Sequence, residues 1–464
     1  MTTPEPPDGA TFRTLEEQLR GALLRPGEEG YDDARSVWNA RVDREPAAVA
    51  RCAGTADVIA AVDVAREHDL RVSVKGGGHH VSGSAVRDDG LVLDLGSMDA
   101  VRVDPDARTA RVQAGATWGD VDHETQAFGL AVPGGQDPNI GVAGLTLGGG
   151  VGWLSRKYGL TSDNLVSADV VTADGELVHA SADEHPELFW ALRGGGGTLG
   201  VVTSFEFQLH PVGPEIFAGS LIYPFEDAPE VARQYRSFAA DAPREARLLF
   251  GTMELPAKSY YPEALHDARA AMIIAFYAGP PAEGRPVLAP LREAGDPLLD
   301  SLRGRQYTAF QRAGDSQGAM RTSLRSQYLA SLPDAAVETI VEHAGDAPSA
   351  GATVFVSPRG GAETEPAPDA TAYPHRDAAH HVLIEARWDD PARDDEHVAW
   401  TRELHDALAP YTTGDVALNF LAADEPAERV RAAYGDNYDR LVAVRDAWDP
   451  DHLFQRIPDA EPPG

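Results

Sequence analysis

Hydrophobic positions recur in two textures along the chain, and the change falls near residue 213. Between 46 and 212, short β-type runs at 71–74, 91–94 and 110–113 interleave with helical periodicity over 56–68 and 117–128. The run at 201–209 alternates at period two and predicts a half-buried strand. Ahead of this part, residues 11–45 open with a helix whose start, Thr14-Leu15-Glu16-Glu17, fits a capping box. From 213 to 425, longer strands are predicted at 247–254, 271–278, 351–357, 381–388 and 414–421. Amphipathic helices at 228–240, 334–344 and 395–409 separate them. Long strands spaced by helices predict a sheet with one covered face, an α+β layer. Segment 360–369 reads as a loop, and 426–453 returns to helix.

A length of 464 residues suits two domains, and 43% hydrophobic residues suit a substantial core. The start, Met1-Thr2-Thr3-Pro4, lacks the basic and apolar runs of a secretory signal. No window has the apolar length needed to cross a bilayer, so the expected location is the cytoplasm. One cysteine, Cys52, excludes an internal disulfide framework and reads as a small buried residue. Against 40 basic residues stand 73 acidic ones, a formal net charge of −33. Only Lys75, Lys157 and Lys258 are lysine, so arginine supplies 37 of the 40 cations. Such a chain repels nucleic acid and anionic membranes. Dense carboxylate with almost no lysine fits a halophilic protein, in which counterions screen self-repulsion.

Three glycine-rich segments lie within 130 residues of one another. They are Val74-Lys75-Gly76-Gly77-Gly78-His79-His80-Val81-Ser82-Gly83, the stretch 133–152, and Arg193-Gly194-Gly195-Gly196-Gly197-Thr198-Leu199-Gly200. Without Cβ atoms, backbone N–H groups can converge on an anion, so a phosphate-bearing ligand is expected. Residues 195–200 match the dinucleotide fingerprint in letters. Their context is reversed, however: a helical stretch precedes them and a strand follows. No glycine run is followed by Lys-Ser or Lys-Thr, which excludes a P-loop.

Taken together, Lys75-Gly-Gly-Gly-His79, the run 141–150, Arg156-Lys-Tyr-Gly-Leu-Thr-Ser-Asp-Asn164, Arg193–Gly197, Tyr373-Pro-His-Arg376 and Tyr434-Gly-Asp-Asn-Tyr438 form an ordered set. The set resembles the berberine bridge enzyme-like FAD-linked oxidases of the vanillyl-alcohol oxidase and p-cresol methylhydroxylase superfamily. The resemblance implies an FAD domain of two subdomains over 1–212 (core 46–212). It also implies an α+β substrate domain with an antiparallel sheet over 213–425, and a C-terminal segment, 426–464, returning to the FAD domain. Cofactor-binding positions implied in the first segment are Lys75, Gly76, Gly77, Gly78, His79, His80, Ser82 and Gly83. In the second they are Gly134, Gly135, Ile140, Gly141, Gly144 and Gly149, and beyond it Asn164, Gly200, Val202 and Asn437.

His79 stands where relatives bond to the flavin 8α-methyl, a task for a neutral imidazole nucleophile. Many relatives make a second bond through a cysteine four residues before Gly141, where this chain has Asp137. A single covalent link through His79 is therefore expected. Ile140 precedes the glycine that, in relatives, lies near the flavin carbon dioxygen must reach, and a β-branched residue there accompanies oxidase behaviour. The expected reaction is oxidation of a CH–OH or CH–NH carbon of a small molecule. Hydride passes to flavin N5, and dioxygen or another acceptor takes the electrons. An acceptor-linked dehydrogenase and an idle FAD scaffold are the alternatives.

Tyr438 matches a family tyrosine facing the substrate and is the first candidate base, with Glu385 and His381 behind it. Alternation places His381, Leu383, Glu385 and Arg387 on one face of their strand, and His380, Val382, Ile384, Ala386 and Trp388 on the other. His375, His380 and His381 could together suggest a metal, but nothing else supports one and none is expected.

The charge carries its own test. The Debye length falls from about 10 Å at 0.1 M to about 3 Å at 1 M salt, so carboxylate repulsion fades over that range. The melting temperature should rise from low to molar KCl, and a flat or falling curve contradicts the halophilic reading.

Overall fold

The computed structural model describes residues 9–258, 261–314 and 318–454; Met1–Asp8 and the 455–464 end of the expected C-terminal segment lie outside them. Among the described residues, strands form three main sheets and the fold is α+β. The first sheet is mixed, in the order Ala22–Leu24, Ala48–Arg51, Leu91–Asp94, Val72–Lys75. Its two parallel pairs both involve Leu91–Asp94, a strand with every residue buried. Parallel strands need cover on both faces. The helix Thr55–Glu67 supplies one side, burying Val58, Ala61, Val62 and Ala65.

The second sheet is antiparallel, ordered Val101–Asp104, Thr109–Gln113, Val201–Gln208, Leu165–Val171, Leu177–Ser181. The predicted alternation over 201–209 holds: Phe205 and Phe207 are buried, while Ser204, Glu206 and Gln208 are half-buried. The helix Trp118–Gln126 begins at a capping box. The Asp120 carboxylate accepts from Thr117 N at 2.8 Å, and Thr117 Oγ1 accepts from Asp120 N.

The third sheet has eight antiparallel strands between Glu215 and Trp388. Its path runs Leu299–Asp300, Glu215–Pro224, Arg269–Tyr277, Ala246–Glu254, Ala352–Pro358, His380–Trp388, Arg321–Leu329. Helices Ala228–Asp241, Asp334–Gly345 and Asp394–Ala407 cover one face, where Phe250, Ile273, Val354, Val382 and Ile384 share a core with Tyr235 and Trp400. The other face turns to the glycine-rich part of the chain, with Phe276 against Trp153 and Phe310 at one end.

Three sequence readings are corrected. The first helix runs Gly9–Gln18, so Thr14 lies inside it and not at its start. Residues 414–421 form no strand. Instead, Asn419 is drawn to another loop, its amide donating to the Gly144 and Leu145 carbonyls and its oxygen accepting from Gly150 N. The strand Arg321–Leu329 escaped prediction because its helix-covered face, shared with Val382, Ile384 and Ala386 of the neighbouring strand, carries Ser323, Arg325 and Gln327 and so lacks apolar alternation. Arg325 pairs with Asp424 and Glu425, and Gln327 donates to the His405 carbonyl.

Asp122, on the Trp118–Gln126 helix, is buried against Gln311, which donates to it at 3.0 Å and to the Gly135 carbonyl at 3.1 Å. Burial pushes the carboxyl from 3.8 up to about 7, with the Gln311 hydrogen bond opposing. The folded protein keeps this proton where the unfolded chain releases it. Asp122 therefore contributes stability that is complete below about pH 4 and lost as pH rises through about 7. The melting temperature of Asp122→Asn relative to wild type should shift in the variant's favour between about pH 4 and about pH 8. A constant difference would contradict this assignment.

Candidate active site

The first and second glycine-rich segments meet backbone to backbone. A Cβ on Gly77 would stand 2.5 Å from Gly141 N, and one on Gly141 would stand 2.4 Å from Gly77 N. Neither neighbour is a side chain that could move aside, so both positions require glycine. The third segment joins them through Tyr373, whose ring or backbone occupies the space a Cβ would need at Gly149 and Gly194. Much of the glycine content thus serves loop-on-loop packing. Gly144, by contrast, faces open space with no protein atom within 4 Å of a Cβ.

His79 projects from this junction. Its ring stacks on Trp38 at 4.5 Å and 20°, and its Nε2, buried and without a hydrogen-bond partner, lies 3.7 Å from Asp137. Trp38 carries the Arg387 guanidinium on its ring at 5.0 Å, and Arg387 pairs with Glu385 at 3.0 Å. Stacking and cation–π contact therefore link the His79 loop to the open face of the 380–388 strand. Asn39 ties the same two parts, donating to the Val81 and Thr322 carbonyls and accepting from Thr322 N. The predicted alternation over 381–388 is observed, with Val382, Ile384, Ala386 and Trp388 in the core and Leu383, Glu385 and Arg387 half-buried opposite.

Other expected site residues are engaged within the protein. Lys75 donates to the Ala34 carbonyl at 2.7 Å and lies 3.8 Å from Asp94, and burial lowers its pKa. His80, also lowered by burial, bridges Ser82 Oγ at 2.7 Å and the Leu418 carbonyl at 3.1 Å. Gly83 abuts Val42, and Ile140 fills the space beside Gly135, while Gly134 lies on the Trp118 ring. Gly200 and Val202 sit on or beside the sheet strand at Val170. Asn164 donates to the Tyr158 and Leu160 carbonyls and meets His210. Asn437 donates to the Pro368 and Thr371 carbonyls.

Tyr438 begins the helix Tyr438–Trp448. It packs under Arg431 at 4.2 Å and beside Tyr434, on the core of the glycine-rich part of the chain. Burial, then Arg359 and Arg247, push His381 down to about 3, and burial with Arg236 pushes His380 to about 4. A histidine so disfavoured as a cation is a poor proton acceptor. His375 is occupied by the Ala433 carbonyl at 3.0 Å.

Sequence reasoning missed Trp38 and Asp137 as partners of His79. It also missed a buried group in which Tyr328 and Tyr373 share a short hydrogen bond while Arg359 donates to Tyr373 at 3.3 Å. Only spatial proximity identifies these residues. FAD fits this site on two observations: Gly144 opens onto unfilled space, and His79 Nε2, Gln136 Nε2 and Thr198 Oγ1, one from each glycine segment, are buried without partners.

Residues 46–181 match the family described as FAD binding domain, and 418–456 match the family described as berberine and berberine like. (R)-6-hydroxynicotine oxidase of Paenarthrobacter nicotinovorans is 31% identical over 96% of this chain and 98% of its own length. The chain belongs to the berberine bridge enzyme-like FAD-linked oxidoreductases. It is an enzyme of this flavoprotein family, and no helix among the described residues is long and apolar enough to cross a membrane. The crystal structure of 6-hydroxy-D-nicotine oxidase from Arthrobacter nicotinovorans superposes with a TM-score of 0.84 at 30% identity, covering 94% of this chain and 97% of that one. BBE-like 1 of Physcomitrella patens reaches a TM-score of 0.86 at 22% identity, with 96% and 98% covered, and shares the fold.

In this berberine bridge enzyme-like chain, the motifs at 156–164 and 373–376 are two halves of one ion pair. Arg376 grips Asp163 with both guanidinium nitrogens, at 2.7 and 2.8 Å. The Gly77–Gly141 contact yields a test. Gly77→Ala overpacks fixed backbone at a cost of about 1–3 kcal/mol, or several degrees of melting temperature. A melting temperature within about 1 °C of wild type would contradict the contact.

Proposed function

We propose that the chain holds FAD between its glycine-rich loops and the 380–388 strand, bonded covalently to His79 alone. There it oxidises a CH–OH or CH–NH carbon of a small molecule. The observation carrying this reading is the unbroken run His79–Trp38–Arg387–Glu385, which joins the attachment loop to the sheet face. The chemistry such a cofactor supplies when bound is two-electron acceptance, a hydride at N5 handed on to dioxygen as hydrogen peroxide.

The protein's own residues orient the substrate and handle its proton. Glu385, half-buried and held by Arg387, is the acceptor for the proton of the substrate oxygen or nitrogen. Leu383 and the neighbouring Phe355 and Leu324 flank it on the same sheet face and favour an apolar substrate body. Tyr438, the candidate drawn from family resemblance, has its contacts with Arg431 and Tyr434 instead. The β-branched Ile140 supports dioxygen as the acceptor over an acceptor-linked dehydrogenase. An amine substrate has a parallel in the hydroxynicotine oxidase relative, and the sheet face accommodates alcohols equally.

A panel of alcohols and amines, mixed anaerobically with the yellow protein in high salt, tests the reading. At least one should bleach the flavin absorbance, and air should restore it with one peroxide per flavin. Glu385→Gln should slow bleaching about 10²–10⁴-fold with the resting flavin spectrum unchanged. Tyr438→Phe should slow it less than tenfold. The reverse ranking would return the base to Tyr438, and no bleaching across a broad panel would favour an idle scaffold.

A further inference from the structure

Asp137 stands where many relatives carry a cysteine, so its own role is unassigned. The residue is 8% exposed, and its Oδ1 accepts from Asn139 N at 2.8 Å and from Asn139 Nδ2 at 3.1 Å. Those contacts hold the carboxylate, and its Oδ2 lies 3.7 Å from His79 Nε2. The imidazole cannot turn freely, because its ring lies flat on Trp38 at 4.5 Å. An imidazole flanked by a carboxylate at one nitrogen carries its proton there and presents a lone pair at the other.

We infer that Asp137 is the positioning residue that makes His79 a nucleophile toward the flavin. This rests on the covalent reading given above. A proton first leaves the flavin 8α methyl, its C–H electron pair passing into the flavin ring. With the Nε2 proton facing Asp137, Nδ1 keeps its lone pair and bonds to that carbon, leaving the ring two electrons richer until dioxygen removes them. A C–N bond forms, and positive charge develops on the imidazole beside the carboxylate. In net terms one hydrogen leaves the 8α carbon and one leaves the imidazole N–H. Dioxygen takes both, with two electrons, as hydrogen peroxide. Asp137 stabilises the imidazolium and then receives its Nε2 proton, the part an orienting carboxylate plays beside any histidine that gains charge. The position thus retains a link to flavin attachment: where relatives place a second nucleophile, this chain places the group that activates the first.

The test follows attachment itself and does not use turnover. Full-length protein made in a riboflavin-starved host is mixed with FAD in air, and flavin retained after acid precipitation is measured over time. Wild type should become fully labelled and His79→Ala not at all. Asp137→Asn keeps an acceptor for Asn139 and should fold, bind FAD with a Kd within about threefold of wild type, and attach it about 100-fold more slowly. Asp137→Ala should be equally slow, and molar acetate should recover part of its rate, which a purely structural role would not allow. Should Asp137→Asn prove unfolded, Asp137→Glu, with the charge moved by one methylene, should attach at an intermediate rate. Labelling of Asp137→Asn at the wild-type rate overturns the inference. Wild-type protein that binds FAD but releases all of it into acid overturns the covalent reading and leaves the FAD site standing.

Discussion

Contact between the backbones at Gly77 and Gly141 is the constraint on which the rest of the site depends. Either position with a Cβ would force the two loops apart, because a main-chain nitrogen and Cα stand within 2.8 Å of where it would lie. His79 follows Gly77 by two residues, and Asp137 and Ile140 precede Gly141. The pairing of His79 with Asp137, the stacking on Trp38 and the opening at Gly144 are all set by that one approach. Here glycine is used less as a flexible hinge than as an absence of atoms.

A second layer holds the sheet against the loops with charge. Arg247 and Glu363 form an ion pair at 2.9 Å with almost no solvent exposure on either side chain. Asp163 and Arg376 form another, in which the arginine also donates to the Glu363 carbonyl and to Thr371. Buried pairs of this kind contribute little net stability when intact, yet removing one partner costs about 3–5 kcal/mol because the other charge is stranded. Their value lies in specifying one arrangement of the sheet over the loops. That arrangement is the one that brings Arg387 to Trp38.

The enzyme's surface and interior follow different electrostatic rules. Over the whole chain 73 acidic residues stand against 40 basic ones, a self-repulsion that added salt screens. Inside, Arg376 satisfies several acceptors at once with its planar fork, whereas the buried Asp57 and Asp449 are held by backbone N–H groups and Asp122 by Gln311. The scarcity of lysine fits both needs.

The sequence by itself determined the fold class, the helix and strand positions with strong periodicity, and membership of an FAD-linked oxidoreductase family. These are legible because period-two and helical patterns are local, and because glycine runs and ordered motifs survive in one dimension. The 201–209 and 381–388 strands were readable for this reason, each having one face in a core. The Arg321–Leu329 strand was not, since Ser323, Arg325 and Gln327 occupy its core-facing side and erase the alternation. Nor was the loss of a strand at 414–421, where Asn419 bonds a loop some 270 residues away in the chain. Only the tertiary structure decided that Asp163 and Arg376 are one ion pair, that Tyr438 packs under Arg431 and beside Tyr434, and that Trp38 and Asp137 flank His79. Proximity between residues distant in sequence is a product of packing, and neither residue type nor spacing carries it.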